Sequence, residues 1–205
     1  MRILLFGHSY VNHLRQLGHW NTEVTLQNNN RVALEFLFRS YPGKDYPYLL
    51  EHDETFDVIR AGQFDALVII LGGNAITTQY SDPEIRSMAE NFFTKLNTYL
   101  RPDCVRFVAQ VETRFCEPGN RFGTPEHAEF ERRRTLLNNC YTGRLRRKGL
   151  IDRVILLGSR QYLNNRNNFA ADGVHLNTEG LELYREAVVS SVRYHLNKRL
   201  EENEQ

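Results

Sequence analysis

The feature that most constrains what this chain can fold into is an alternation. Short, nearly continuous apolar runs are separated by longer stretches with apolar residues at helical spacing. The runs are Arg2–Phe6 (RILLF), Val32–Phe38 (VALEFLF), Ala66–Leu71 (ALVIIL), Cys104–Val111 (CVRFVAQV) and Arg153–Leu157 (RVILL). Strands that are apolar on both faces belong in a sheet covered on both sides, as parallel sheets are. Between the runs, Ser81-Asp82-Pro83-Glu84 reads as a helix N-cap with a first-turn proline. Ile85, Met88, Phe92, Leu96 and Tyr99 then form one apolar stripe, and Leu181, Tyr184, Val188, Val192 and Leu196 form another. A third helix is expected over about Pro125 to Lys148, and a shorter one after Ser9. The alternation predicts an α/β sandwich with a central parallel sheet. Within Thr22–Asn30, VTLQ is compatible with an extra strand and NNN with a turn.

The chain has 205 residues, with no repeat, low-complexity tract or Pro/Gly/Ser-rich linker, so a single domain over residues 1–205 is expected. Lys+Arg of 26 against Asp+Glu of 25 leaves a net charge of +1, which excludes a global positive field for holding nucleic acid or an anionic surface. No window reaches the roughly 18 apolar residues of a membrane span. The apolar run of MRILLFGHSY is too short for the h-region of a secretory signal. Cys104, Cys116 and Cys140 show no metal-ligand spacing, and reduced thiols in a cytoplasmic protein are expected.

In α/β sheets ligands bind outside the carboxyl ends of the strands. The residues there are Gly7-His8-Ser9, Tyr41-Pro42-Gly43, Gly72-Gly73-Asn74 and, before the last helix, Ala171-Asp172-Gly173-Val174-His175. A serine hydroxyl needs a base to become a nucleophile, and Ser9 is placed at a helix N-terminus, near positive partial charge. His175 is the candidate base. Asp172, three residues before it, is placed to fix its tautomer and stabilise the imidazolium. The backbone N–H groups of Ser9 and Gly43 and the side-chain amide of Asn74 are candidate donors to an oxyanion.

This order of motifs resembles the SGNH hydrolase family, the GDSL-type esterases and lipases. The four blocks are read in Phe6-Gly7-His8-Ser9, Tyr41-Pro42-Gly43, Leu71-Gly72-Gly73-Asn74-Ala75 and Asp172-Gly173-Val174-His175, the last continued by Leu176-Asn177-Thr178-Glu179-Gly180. The resemblance implies a flavodoxin-like three-layer α/β/α sandwich and ester hydrolysis through an acyl-serine. Ser9 is then the nucleophile, His175 the base and Asp172 its orienter, with Ser9, Gly43 and Asn74 as the oxyanion hole. His8 and Ala75 stand where the family usually has aspartates.

His8, Tyr10 and Arg114 are candidate pocket residues on the same sheet edge. The expected substrate is a small or lipid-like ester. The pocket loops are expected at Tyr10–Asn12, Tyr46–Leu50, Thr77–Tyr80, Glu112–Gly123 and Gln161–Ala170. His13, His19, His52, His127 and His195 show no metal-ligand spacing, and neither metal nor cofactor is expected. Pro42-Gly43-Lys44 lacks the rest of a phosphate-binding loop. Arg132, Arg133, Arg134, Arg144, Arg146 and Arg147 lie near Glu126, Glu129 and Glu131, so a solvated helix face is favoured over nucleic-acid contact. Two alternatives share the expected fold: an acyltransferase, and a catalytically weak binding or accessory module of the kind found in mobile genetic elements.

Overall fold

The computed structural model describes residues 1–77, 80–114, 125–157 and 165–203. In chain order the elements are β1 (Arg2–Gly7), α1 (Ser9–Gln16), β2 (Thr22–Thr25), β3 (Arg31–Ser40), α2 (Tyr46–Glu51), α3 (Glu54–Ala61), β4 (Ala66–Ile70), α4 (Asp82–Asn97), β5 (Val105–Ala109), α5 (Pro125–Asn139), β6 (Arg153–Ile155) and α6 (Thr178–Asn203). The strands form one sheet in the order β2-β3-β1-β4-β5-β6. Strands β3, β1, β4, β5 and β6 pair in parallel, and β2 pairs antiparallel with β3. The sheet is therefore mixed at one edge rather than wholly parallel. A tight turn through Asn29, whose φ is 63°, joins β2 to β3. So short a connection makes an antiparallel pair, because a parallel one needs a crossover of a dozen or more residues.

Alternate residues of the central strands feed two cores, which makes the three layers. On one face Ile3, Leu5, Val68, Ile70 and Phe107 pack with Val11 and Leu14 of α1 and Tyr184, Val188 and Val192 of α6. On the other, Leu4, Phe6, Leu67, Ile69 and Val108 pack with Phe56 of α3, Phe92 and Phe93 of α4 and Leu137 of α5. Full burial on both faces is why these strands read as unbroken apolar runs.

Ser81 starts α4, its backbone N–H and its hydroxyl both 2.7 Å from a Glu84 carboxylate oxygen. The long helix after Pro125 passes into a π-helical turn at Cys140–Leu145. That turn carries Tyr141 inward, where its hydroxyl meets that of Tyr46 and donates to the Leu71 carbonyl at 3.2 Å. Residues 46–50 are accordingly not a pocket loop. They lie in α2 with Tyr46 and Leu49 buried, three residues apart on its inner face. Thr78, Gln79, residues 115–123 and residues 161–164 of the other expected pocket loops lie outside the described residues. Cys104 and Cys140 are buried free thiols, and Cys116 also lies outside the described residues. Among the described residues no helix is long and apolar enough to cross a membrane.

Candidate active site

Two short connections bring the key side chains together. The first is the β1–α1 junction. A Cβ on Gly7 would stand 2.0 Å from the Ile70 carbonyl oxygen of β4, so only glycine passes there. The His8 N–H donates to that same carbonyl at 3.1 Å. The His8 ring caps α1, its Nδ1 accepting from the Tyr10 N–H at 3.4 Å. Ser9 is thus the first helical residue, where backbone N–H groups have no intrahelical partner.

The second connection is the loop before α6. A bridge between Phe169 and Leu176 closes it, and the Ala170 N–H donates to the His175 carbonyl at 2.8 Å. The Arg166 guanidinium donates to the carbonyls of Phe169, Ala170 and Ala171 at 3.1, 2.9 and 3.2 Å. Arg166 was not among the residues singled out from sequence, and its anchoring role is visible only in the folded loop.

Across these connections, Ser9 Oγ lies 3.3 Å from His175 Nε2, and His175 Nδ1 lies 2.8 Å from Asp172 Oδ2. The other carboxylate oxygen of Asp172 accepts the N–H groups of Val174 and His175 at 2.9 and 3.0 Å. Partial desolvation raises the Asp172 pKa, but the bonds from the His175 ring and from the two amides outweigh it and hold the carboxyl at about 2. Asp172 is therefore a fixed anion at neutral pH, facing the ring nitrogen that must stay protonated.

The imidazole is walled by rings. Tyr10 lies 5.9 Å from it, centroid to centroid, and donates its hydroxyl to the Val174 carbonyl. His13, one helical turn beyond Ser9, lies 4.6 Å from it. Burial first, and then the charge on a protonated His175, lowers the pKa of His13, with Asp172 opposing. His13 was set aside for lack of metal-ligand spacing. Its position four residues after Ser9, on the same helix face, was the signal available. His8 is buried, and desolvation together with Arg114, His175 and His13 lowers its pKa to about 3, so it is neutral at physiological pH.

Gly43 occupies an exposed turn with φ of 71°, and the Lys44 N–H closes that turn onto the Tyr41 carbonyl at 3.1 Å. The Asn74 side-chain N–H donates to the Lys44 carbonyl at 3.0 Å, which ties the loops after β3 and β4 together. An amide nitrogen carries two hydrogens, so this bond uses one of Asn74's donors. Ala75 begins a 3-10 turn and is fully buried among apolar side chains, a place where an aspartate would be costly.

Beside the triad is a cavity of about 20 Å³, its wall including His8, Tyr10, Gly73, Glu112, Arg114 and Tyr184. Arg114 donates to the Gly73 carbonyl at 3.2 Å and lies 5.0 Å over the Phe130 ring. Glu112 was not singled out from sequence. Its stem is partly exposed, but both carboxyl oxygens are buried and without a hydrogen-bond partner.

Away from the site, Arg132 pairs with Asp82 and Glu129, Arg133 with Glu129, Arg134 with Glu131 and Arg144 with Glu90. Arg146 and Arg147 are exposed. Among the described residues no group of three His, Cys, Asp or Glu side chains could hold a metal ion.

No protein-family model and no curated protein matches the sequence. Solved structures do match the fold. A lipase/acylhydrolase from Enterococcus faecalis aligns with a TM-score of 0.66 at 16% identity, over 95% of this chain and 96% of that one. A GDSL-like lipase from Bacteroides thetaiotaomicron aligns with a TM-score of 0.64 at 11% identity, over 95% and 88%. The esterase EstA from Pseudoalteromonas, in a structure inhibited by monoethylphosphonate, aligns with a TM-score of 0.63 at 12% identity, over 96% and 98%. The chain shares the fold of these lipases and esterases.

Proposed function

We propose that this chain, folded as an SGNH hydrolase, is a serine esterase that cleaves acyl esters through an acyl-enzyme on Ser9. The observation that carries the reading is the continuous hydrogen-bonded relay from Ser9 Oγ through His175 to Asp172. It stands where a helix N-terminus begins at the carboxyl end of a central strand. A serine used only at a helix start has no need of a histidine 166 residues away in sequence that is itself held by a carboxylate.

In this reading Ser9 Oγ attacks the ester carbonyl while His175 Nε2 takes its proton. The 3.3 Å separation is at the long end for a hydrogen bond, and such contacts tighten when substrate is seated. Asp172 stabilises the imidazolium and keeps the ring oriented. The oxyanion is received by the Ser9 N–H, the Gly43 N–H and the second hydrogen of the Asn74 amide. Collapse of the tetrahedral adduct expels the alcohol, which takes the proton from His175. Water, activated by the same imidazole, then releases the acid and restores Ser9.

The test is turnover of a short-chain p-nitrophenyl ester by purified wild-type protein and by Ser9→Ala. Loss of turnover on the order of 10³-fold or more in Ser9→Ala is expected. Equal turnover by the two proteins rejects the reading.

A further inference from the structure

The direction of the His175 side chain is set by the peptide unit that enters its Cα, and that unit is held at both ends. Its N–H, from His175 itself, donates to Asp172 Oδ1 at 3.0 Å. Its carbonyl, from Val174, accepts the Tyr10 hydroxyl. Asp172 lies in the same loop, so its bonds fix the ring within that loop. Tyr10 lies in α1 and directly follows Ser9. Its bond therefore fixes the loop to the element that carries the nucleophile.

We infer that Tyr10 is a positioning residue of the reaction, whose hydroxyl holds the His175 loop against α1 and so sets the contact between Ser9 Oγ and His175 Nε2. The inference deepens the esterase reading and, as a statement about a reaction, rests on it.

Three features support this role over that of a substrate contact. A phenol has one proton to donate, and Tyr10 gives it to the Val174 carbonyl. Burial first, then Glu112, raises the pKa of that hydroxyl well above the ordinary 10, with Arg114 opposing, so the donor is kept across the working pH range. The ring is as enclosed as the hydroxyl. Tyr10 is 7% exposed, with the His8 ring edge-on at 5.4 Å, the His175 ring at 5.9 Å and the Tyr184 ring at 6.2 Å. Its backbone N–H is taken by His8 Nδ1 at 3.4 Å. A side chain held in this way transmits the position of α1 to the loop. The contact it would set is also sensitive. At 3.3 Å, Ser9 Oγ and His175 Nε2 are already at the long end of a hydrogen bond. A small drift of the loop breaks that bond, and a misplacement of about 1 Å at reacting groups costs on the order of 10²-fold in rate.

The experiment compares wild type with Tyr10→Phe, which keeps the ring and removes the donor. It reads kcat/KM for acetyl, butyryl and hexanoyl p-nitrophenyl esters, and crystal structures of both proteins read the separation of Ser9 Oγ and His175 Nε2. In Tyr10→Phe, kcat/KM is expected to fall on the order of 10- to 100-fold, by the same factor for all three esters, with the separation opened beyond hydrogen-bond reach. Phosphonylation of Ser9 by an ethylphosphonate ester should slow by a similar factor yet still reach one group per chain. A misfolded fraction would lower the yield instead of the rate. Incorporation of 4-aminophenylalanine at position 10, which restores a donor, should recover most of the lost rate. If Tyr10→Phe does not fold, 4-fluorophenylalanine at that position, which fills the space of the hydroxyl without its proton, takes its place. Wild-type turnover with variant rates within twofold and an unmoved separation overturns the positioning role and leaves the esterase standing. A fall confined to some acyl lengths makes Tyr10 a substrate contact and overturns the role as well. A folded wild type without turnover, whose separation opens in the variant, overturns the esterase and keeps Tyr10 as the tie between α1 and the loop. Neither turnover nor a change in separation overturns both.

Discussion

Asp172 holds His175 twice. One carboxylate oxygen meets the ring Nδ1 at 2.8 Å, and the other accepts the His175 backbone N–H at 3.0 Å. The same side chain therefore sets the loop and the tautomer. Asp172→Asn separates the two roles. Its side-chain carbonyl still accepts from the Val174 and His175 amides, while its NH₂ faces Nδ1 and favours the wrong tautomer. The expected result is a fall in kcat on the order of 10²–10⁴-fold, with a melting temperature close to wild type by calorimetry.

His13 stands close enough to the neighbouring imidazole for a charge placed there to act on it. With the rings 4.6 Å apart, a fixed positive charge at residue 13 opposes the imidazolium that forms during attack. His13→Lys should move the acid limb of the kcat/KM profile to lower pH by about half to one unit and slow the plateau about tenfold. His13→Phe, which keeps an uncharged ring, should leave the limb near its wild-type position. The full pH profile of the three proteins checks this.

Glu112 makes the fold alkali-sensitive. Its folded-state pKa of about 8 lies above the ordinary 4.5. The folded state thus binds more protons than the unfolded one between those values, and stability falls as pH rises through that window. His8 acts in the opposite direction. Its folded value of about 3 lies below 6.5, so its contribution is complete above about pH 6.5 and is lost as pH falls toward 3. Glu112→Gln should therefore raise stability at pH 9 by a few kcal/mol, on the order expected for a shift of this size. At pH 5 its effect should be small, as read by urea denaturation at both values.

Gly7 is a packing requirement of the site. With a Cβ only 2.0 Å from the Ile70 carbonyl oxygen, Gly7→Ala must part β1 from β4 or displace the turn into Ser9. A loss of about 3 kcal/mol or more is expected by chemical denaturation, a size reached by overpacking that the backbone cannot relieve. Gly149→Ala, where a Cβ meets nothing within 4 Å but φ is 67°, is the control for strain alone and should lose about 1 kcal/mol.

What the sequence made legible follows from how each signal arises. β1, β4 and β5 announce themselves because both faces are buried, which forces a local composition. β2 does not, since it is a four-residue edge strand with only Val24 buried, and its direction depends on the turn at Asn29. α2 is too short to show a period, and its Tyr-Pro-Tyr-Leu-Leu composition looks like a ligand loop until Tyr46 is seen against Tyr141. The Ser9, His175 and Asp172 positions could be read from their places at strand ends and helix starts, which are local facts. Glu112 could not be read that way, and His13 showed only its place one helical turn after Ser9. Their environments are made by α6, β4 and the loop before α6, brought in from distant parts of the chain. The arginine-rich helix gave an ambiguous pattern for the same reason, because Asp82 and Glu90, which pair with Arg132 and Arg144, come from α4.

The most direct measurement is intact-mass and peptide mapping after treatment with a reactive ethylphosphonate ester, on wild type, Ser9→Ala and His175→Ala. A related monoethylphosphonate inhibits the structurally similar esterase EstA. The account predicts one phosphonyl group on wild type, located on the peptide containing Ser9, and none on either variant. A folded wild-type protein that stays unlabelled, or a Ser9→Ala protein labelled as readily as wild type, would contradict it.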